Sequence, residues 1–259
     1  MKLILHIFIT FIFFQGCSLK SVIIPNIPFL VADRMGDKLD LYYSEEKIVK
    51  KHITELLRKE KELFSKLNLS ITNIKINKQL NLKNTFKNTF EIINPFIKKF
   101  NIILSKRISI FDKKRQKDFF NISNKDNIKI KKQIDSMDGE YITEKFEFFI
   151  GELNRKQKSM ISKNINVFIN LKKLRLEKRF NTQKRLKEAF ELGKENREDR
   201  INAIFNSQLS IGNRLSELEP LIAFLEEFKS TINSAQLLEL KSKKSLALEW
   251  IRGISDEYK

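Results

Sequence analysis

Apolar residues along this chain return at intervals of three, four and seven, the repeat of a helix that buries one stripe. Val49, Ile53, Leu56, Leu63 and Leu67 form one such series. Phe86, Phe90, Ile93, Ile97, Phe100 and Leu104 form a cleaner one, at steps of 4-3-4-3-4. Pro95 lies inside it, which predicts a kink or break. The pattern restarts after Ser109, pauses at Asp135 to Gly139 around Met137, and resumes at Phe146, Phe149 and Ile150. One long helix is expected from about Asn154 to Phe190 and another from Arg200 to Leu215. A last one is expected from Pro220, where Leu221, Leu225, Phe228, Ile232 and Ala235 again step by 4 and 3. Only the Asn-rich stretch 68–85 has no clear period. The predicted fold class is all-α: an elongated multi-helix bundle of long amphipathic helices with coiled-coil-like spacing.

The N-terminus breaks this pattern. Leu3 to Phe14 is a nearly unbroken apolar run of 12 residues behind Lys2. That is too short to span a bilayer, which takes about 20 residues, but it suits the apolar region of a signal peptide. It ends in Phe14-Gln15-Gly16-Cys17, which resembles a relaxed bacterial lipobox: Gly16 fits the small position before the Cys, while Phe14 and Gln15 depart from the usual residues. Residues 1–16 are therefore expected to be a lipoprotein signal peptide, with Cys17 acylated as the mature N-terminus. Acyl chains there would anchor the protein, each buried CH₂ contributing about 0.8 kcal/mol. Residues 17–43 are expected to form a lipidated N-terminus and a short apolar tether. Pro25 and Pro28 interrupt any continuous helix there, and a short helix follows from Phe29 to Gly36. The remainder, 44–259, is expected to be a single all-helical domain.

Several helices share a starting device. Tyr43-Ser44-Glu45-Glu46-Lys47, Leu153-Asn154-Arg155-Lys156-Gln157 and Ile254-Ser255-Asp256-Glu257-Tyr258 each place an apolar residue before a capping residue, with Asp112-Lys113-Lys114-Arg115-Gln116 a weaker case. Ser, Asn or Asp accepts from the free N–H groups of the first turn, and the apolar residue staples the entry. With the leader, this arrangement resembles a family of uncharacterised bacterial lipoproteins whose helices repeatedly begin with a Leu-Thr-x-x-Gln-like motif. The match runs loosely over residues 27–258, through Ile27-Pro28-Phe29-Leu30, Asp33, Asp37, Asp40-Leu41 and Tyr43-Ser44-Glu45-Glu46, with Gly151 to Gln157 as an internal start. Lys47 and Tyr258 stand where Gln is typical. The resemblance implies a periplasm-facing or surface helical lipoprotein and assigns no activity.

Composition narrows the chemistry. The single Cys excludes an internal disulfide framework and a Cys-rich metal site. Two His, His6 in the leader and His52 beyond it, leave no His/Cys zinc pattern, and the seven Gly are too scattered for a phosphate-binding loop. Glu188, Glu191, Glu195, Glu198 and Asp199 alternate with Lys194, Arg197 and Arg200, the pattern of a solvated, salt-bridged helix face. No catalytic residue, cofactor or metal is assigned.

Charge adds the one candidate surface. Of the net +18, residues 1–187 carry +21 and residues 188–259 carry −3. Arg155 to Lys187 holds 12 basic residues and one acid, Glu177. Lys172, Lys173, Arg175, Lys178, Arg179, Lys184 and Arg185 are the candidate anion-contact face, interleaved with Phe168 and Phe180. In the competing reading the Phe and Leu residues are a core stripe and Lys merely solubilises the helix. An anionic lipid or an acidic protein fits this face, while export disfavours nucleic acid. The expected role is a non-catalytic binding or structural module of the cell envelope. Ser18 after the Cys is compatible with outer-membrane sorting. A membrane-tethered chaperone, with an apolar groove between helices, is the alternative, and an envelope hydrolase the third.

Overall fold

A computed structural model describes residues 17–77 and 79–259, so the signal peptide expected at 1–16 lies outside the described residues. The described chain is all-α, with eleven α-helices, one short 3₁₀ turn and no strand. In chain order the helices are α1 (Cys17–Leu39), α2 (Tyr43–Lys59), α3 (Lys61–Asn73), α4 (Leu82–Ser109), α5 (Lys113–Asp135) and α6 (Gly139–Ile150). There follow α7 (Arg155–Lys163), α8 (Ile165–Glu191), α9 (Arg197–Asn206), α10 (Ile211–Lys229) and α11 (Ser234–Glu257).

The apolar stripes fill two cores. Val49, Ile53, Leu56, Leu63 and Leu67 are all buried in the first, beside Phe96 and Phe100 of α4 and Trp250 and Ile254 of α11. The second gathers Ile142 and Ile150 of α6, Ile161 of α7, and Phe224 and Phe228 of α10. Phe146 meets the Phe228 and Phe168 rings edge to face, at 4.9 and 6.0 Å between centroids. Two helices run from one core to the other: α8 carries Phe168 in the second and Leu186 in the first, and α11 does the same with Leu240 and Trp250.

Residues 17–43 are not a tether. Ile24, Ile27, Val31, Ala32, Met35 and Leu39 of α1 are buried in the first core. The helix also continues through Pro25 and Pro28, against expectation. Pro28 lacks the N–H that would bond the Ile24 carbonyl, and the Tyr258 hydroxyl supplies it instead, donating to Ile24 O at 2.8 Å and to Pro25 O at 3.3 Å. Tyr258 therefore ends a helix and does not open one: Ile254 to Glu257 is the last turn of α11, where a helix start was expected. Pro95 is likewise accommodated inside the 28-residue α4. It is exposed, as is Glu91 four residues earlier, so the lost hydrogen bond falls on the solvent side.

Other boundaries differ as well. The first stripe is two helices, broken at Glu60, and α2 begins with Tyr42 as its cap, not Ser44. The expected 154–190 helix is broken at Asn164 into α7 and α8. Pro220 lies within α10, and the apolar series counted through Ile232 and Ala235 crosses the gap before α11. Phe149 points outward, 40% exposed. Arg197 is buried at the start of α9, not solvated. Its guanidinium donates to the carbonyls of Phe190, Gly193 and Ser109, closing the ends of α8 and α4. In the Asn-rich stretch, α3 runs to Asn73, and the Asn81 side chain accepts the Asn84 N–H at 2.9 Å to begin α4.

Two buried pairs join helix starts from distant parts of the chain. Asn154 and Asn233 cap α7 and α11, each forming a capping box with the Gln three residues on, Gln157 and Gln236. These glutamines pair with each other, Gln157 Nε2 donating to Gln236 Oε1 at 2.8 Å and Gln236 Nε2 to Gln157 Oε1 at 2.9 Å. Their remaining N–H groups bond the backbone carbonyls of Thr231 and Glu152, at 3.1 and 2.8 Å. At the starts of α2 and α5 the same positions hold Glu45 and Arg115, paired at 2.9 Å, with Glu45 accepting the Tyr42 N–H. Burial alone would raise the Glu45 carboxyl, but the bonds from Arg115 and Tyr42, with the charges of Arg115 and Arg107, hold it below its ordinary value.

Tyr258 gives this docking a pH signature. Burial first, then Glu257, pushes its hydroxyl above the usual value near 10. The folded state thus favours the protonated phenol, and that stability is complete below pH of about 10 and lost as the pH rises above it. Tyr258→Phe is expected to lower the unfolding free energy by about 1–2 kcal/mol at neutral pH and to flatten this alkaline decline, both read by urea titration across pH.

Candidate anion-contact surface

The seven basic residues singled out in the sequence all lie on α8, which at 27 residues and a rise of about 1.5 Å extends roughly 40 Å. At about 100° per residue they do not share one side. Lys173 and Lys184 fall together, while Lys172, Arg175, Lys178, Arg179 and Arg185 turn toward other helices. Most of the second group have partners within the protein. Lys178 pairs with Glu217 of α10. Arg179 donates from Nε to the buried Asn127 of α5 at 2.9 Å and lies 4.0 Å from Asp126. Lys172 sits over the Tyr141 ring at 4.9 Å, and Arg185 donates to the Ser207 hydroxyl at 2.8 Å. Arg175 is exposed over its length, yet desolvation of its guanidinium, opposed by the charge of Glu217, lowers its pKa from the ordinary value.

Lys173 and Lys184 are exposed, but the ridge they occupy also carries the acids Glu177, Glu188 and Glu191 and the half-exposed Phe180. The helix therefore presents a mixed outer ridge, while Lys172, Lys178 and Arg179 hold α8 against α6, α10 and α5.

A different concentration of cations lies around α2. Opposite the buried Val49-Ile53-Leu56 stripe, Lys47, Lys51 and Arg58 point outward, with Lys50 and Lys59 at either side. Lys50 stands over the ring of Phe29 on α1 at 5.8 Å, and Lys47 over Tyr43 at 4.6 Å. On the other flank, α4 contributes Lys106 and Arg107. His52 registers their field: burial, then Arg107, with Lys106 and Lys51 adding, pushes its imidazole below the ordinary value against the opposing pull of Glu55. Burial is the larger cause, and the charges of Arg107, Lys106 and Lys51 act in the same direction. Sequence reasoning missed this surface because it is shared between residues near 50 and near 106. The available signal was the 4- and 7-residue spacing of Lys47, Lys51 and Arg58.

Among the described residues no group of three or more His, Cys, Asp or Glu could hold a metal ion. Among the described residues no helix is long and apolar enough to cross a membrane. One open depression is lined by polar residues such as Asn73, Asn77, Gln79, Asn81 and Asn88. No family model, no curated protein and no solved structure matches the chain.

The division on α8 makes a direct prediction. Reversing Lys178 and Arg179 to Glu removes two internal partners, and should destabilise the fold by about 1–3 kcal/mol. Reversing Lys173 and Lys184 should shift stability by no more than about 0.5 kcal/mol. Thermal unfolding of the two double variants under identical buffer checks both.

Proposed function

We propose that this chain is a bacterial envelope lipoprotein whose helical body is held at a membrane by acyl chains on Cys17 and serves a binding or structural role without catalysis. The observation that carries the reading is the order of the N-terminus: a basic residue, a 12-residue apolar run and Gly16-Cys17, with the chain's single Cys where that run stops. The start of α1 supports it. Ile24, the first of the described side chains to be buried, lies seven positions after Cys17, about 10 Å along a helix. A lipid on Cys17 would thus hold the body close against the bilayer, with no long flexible spacer between them. The resemblance to helical lipoproteins with repeated helix starts agrees with the two capping boxes at Asn154 and Asn233.

Metabolic labelling with radioactive palmitate tests the anchor. The chain should take up label and fractionate with membranes, and Cys17→Ala should abolish the label and release the protein. Label that persists in Cys17→Ala, or fails to enter the unaltered chain, contradicts the proposal.

A further inference from the structure

The cations of α8 and those of α2 differ in one respect. Lys178, Arg179 and Arg185 bond to groups inside the protein. Lys51, Arg58 and Lys59 are exposed, and none forms an ion pair or side-chain hydrogen bond among the described residues. Glu55 is the one carboxylate interspersed with them along the outward side of α2, and it is only partly exposed. Positive charge of this density sets up a field that attracts anions.

The apolar residues beside these cations narrow the choice of anion. On α1, Val22 and Phe29 are 63% and 51% exposed and stand two turns apart on one side of the helix. On α2, Ile48 is 40% exposed. On α4, Ile102 is 45% exposed, one turn before Lys106. A soluble polyanion has no use for these side chains. The interfacial zone of an anionic bilayer takes both kinds of group, apolar side chains at the acyl boundary and lysines among the headgroups. Lys50 over Phe29 already has that arrangement, with the ammonium above the ring.

We infer that the outward side of α2, with the adjoining edges of α1 and α4, is a contact surface for anionic phospholipid headgroups. The inference rests on the envelope reading for its location, since α1 begins at Cys17 and forms one edge of the surface. Its affinity does not require the lipid. The surface would fix the orientation of the body, which one anchor point leaves free to swivel.

The test uses the full chain with Cys17→Ser, so that no acyl chain is attached, mixed with vesicles of phosphatidylcholine alone or containing phosphatidylglycerol. The leader's apolar run partitions into both, so the ratio between them is the readout. The unaltered surface should favour the anionic vesicles, less so at high salt. Reversing Lys51, Arg58 and Lys59 to Glu should reduce that preference about tenfold or more. Changing the same three to Gln should give an intermediate loss, and reversing Lys173 and Lys184 should leave it unchanged. Circular dichroism of each variant should match the parent, because none of the altered side chains forms an ion pair or side-chain hydrogen bond among the described residues. An anionic-to-neutral ratio unmoved by the α2 changes overturns the inference, as does an equal loss from the α8 changes. Binding to heparin that depends on the three cations, without preference for anionic vesicles, would assign the surface to a soluble polyanion instead. Palmitate labelling separates the two proposals: label without vesicle preference leaves the anchor and removes the surface, and the converse leaves the surface alone.

Discussion

Every helix start leaves N–H groups without partners, and in this chain the means of satisfying them also joins the helices together. Gln157 and Gln236 each reach back to the N–H of a capping Asn and forward to one another. Each amide oxygen accepts two hydrogen bonds and each amide nitrogen gives at least two, so both groups are satisfied although 0% and 3% exposed. The arrangement has approximate two-fold symmetry, since each glutamine also bonds the carbonyl two residues before the other's cap. Glu45 and Arg115 repeat the plan with charge in place of amides, Arg115 reaching the carbonyl of Asp40 two residues before the Tyr42 cap. Removing one member strands the other in a desolvated site, a penalty of about 1–3 kcal/mol.

These pairs set the register of the two cores. The glutamine pair fixes α7 against α11 at the second core, and the charged pair fixes α2 against α5 at the first. From its clamped start α11 runs into the first core, where Trp250, Ile251 and Ile254 pack and Tyr258 closes on the proline-interrupted turn of α1. The first and last helices of the described residues therefore meet. A helix that the prolines would weaken is held by the last turn of the fold, and this makes the segment after Cys17 part of the body. Because α1 packs into the first core, the outward side of α2 keeps a defined position relative to the start of α1.

Much of the fold was legible in the sequence because apolar spacing reports burial directly. Val49, Ile53, Leu56, Leu63 and Leu67 are buried as their spacing predicts. Breaks without Pro or Gly were not legible: at Glu60 and Asn164 the chain leaves the helix for a single residue, and the apolar period carries across. The start at Asn233 was hidden for the same reason, since Ile232 and Ala235 continue the step from α10. Prolines misled in the opposite direction, because the donor that rescues the Ile24 carbonyl lies 234 residues away. Charge density was legible on α8, but not its use: the partners of Lys178 and Arg179 come from α10 and α5. The α2 surface needed the tertiary fold to bring Lys51 near Lys106.

The pairing of the two glutamines is the central claim, and a double-mutant cycle measures it most directly. Gln157→Ala, Gln236→Ala and the double variant would be compared with the parent by urea unfolding. The structure predicts that each single change costs about 2 kcal/mol and that the double change costs clearly less than the sum, a coupling of roughly 1–3 kcal/mol. Strict additivity, with the two costs summing in the double variant, would contradict it.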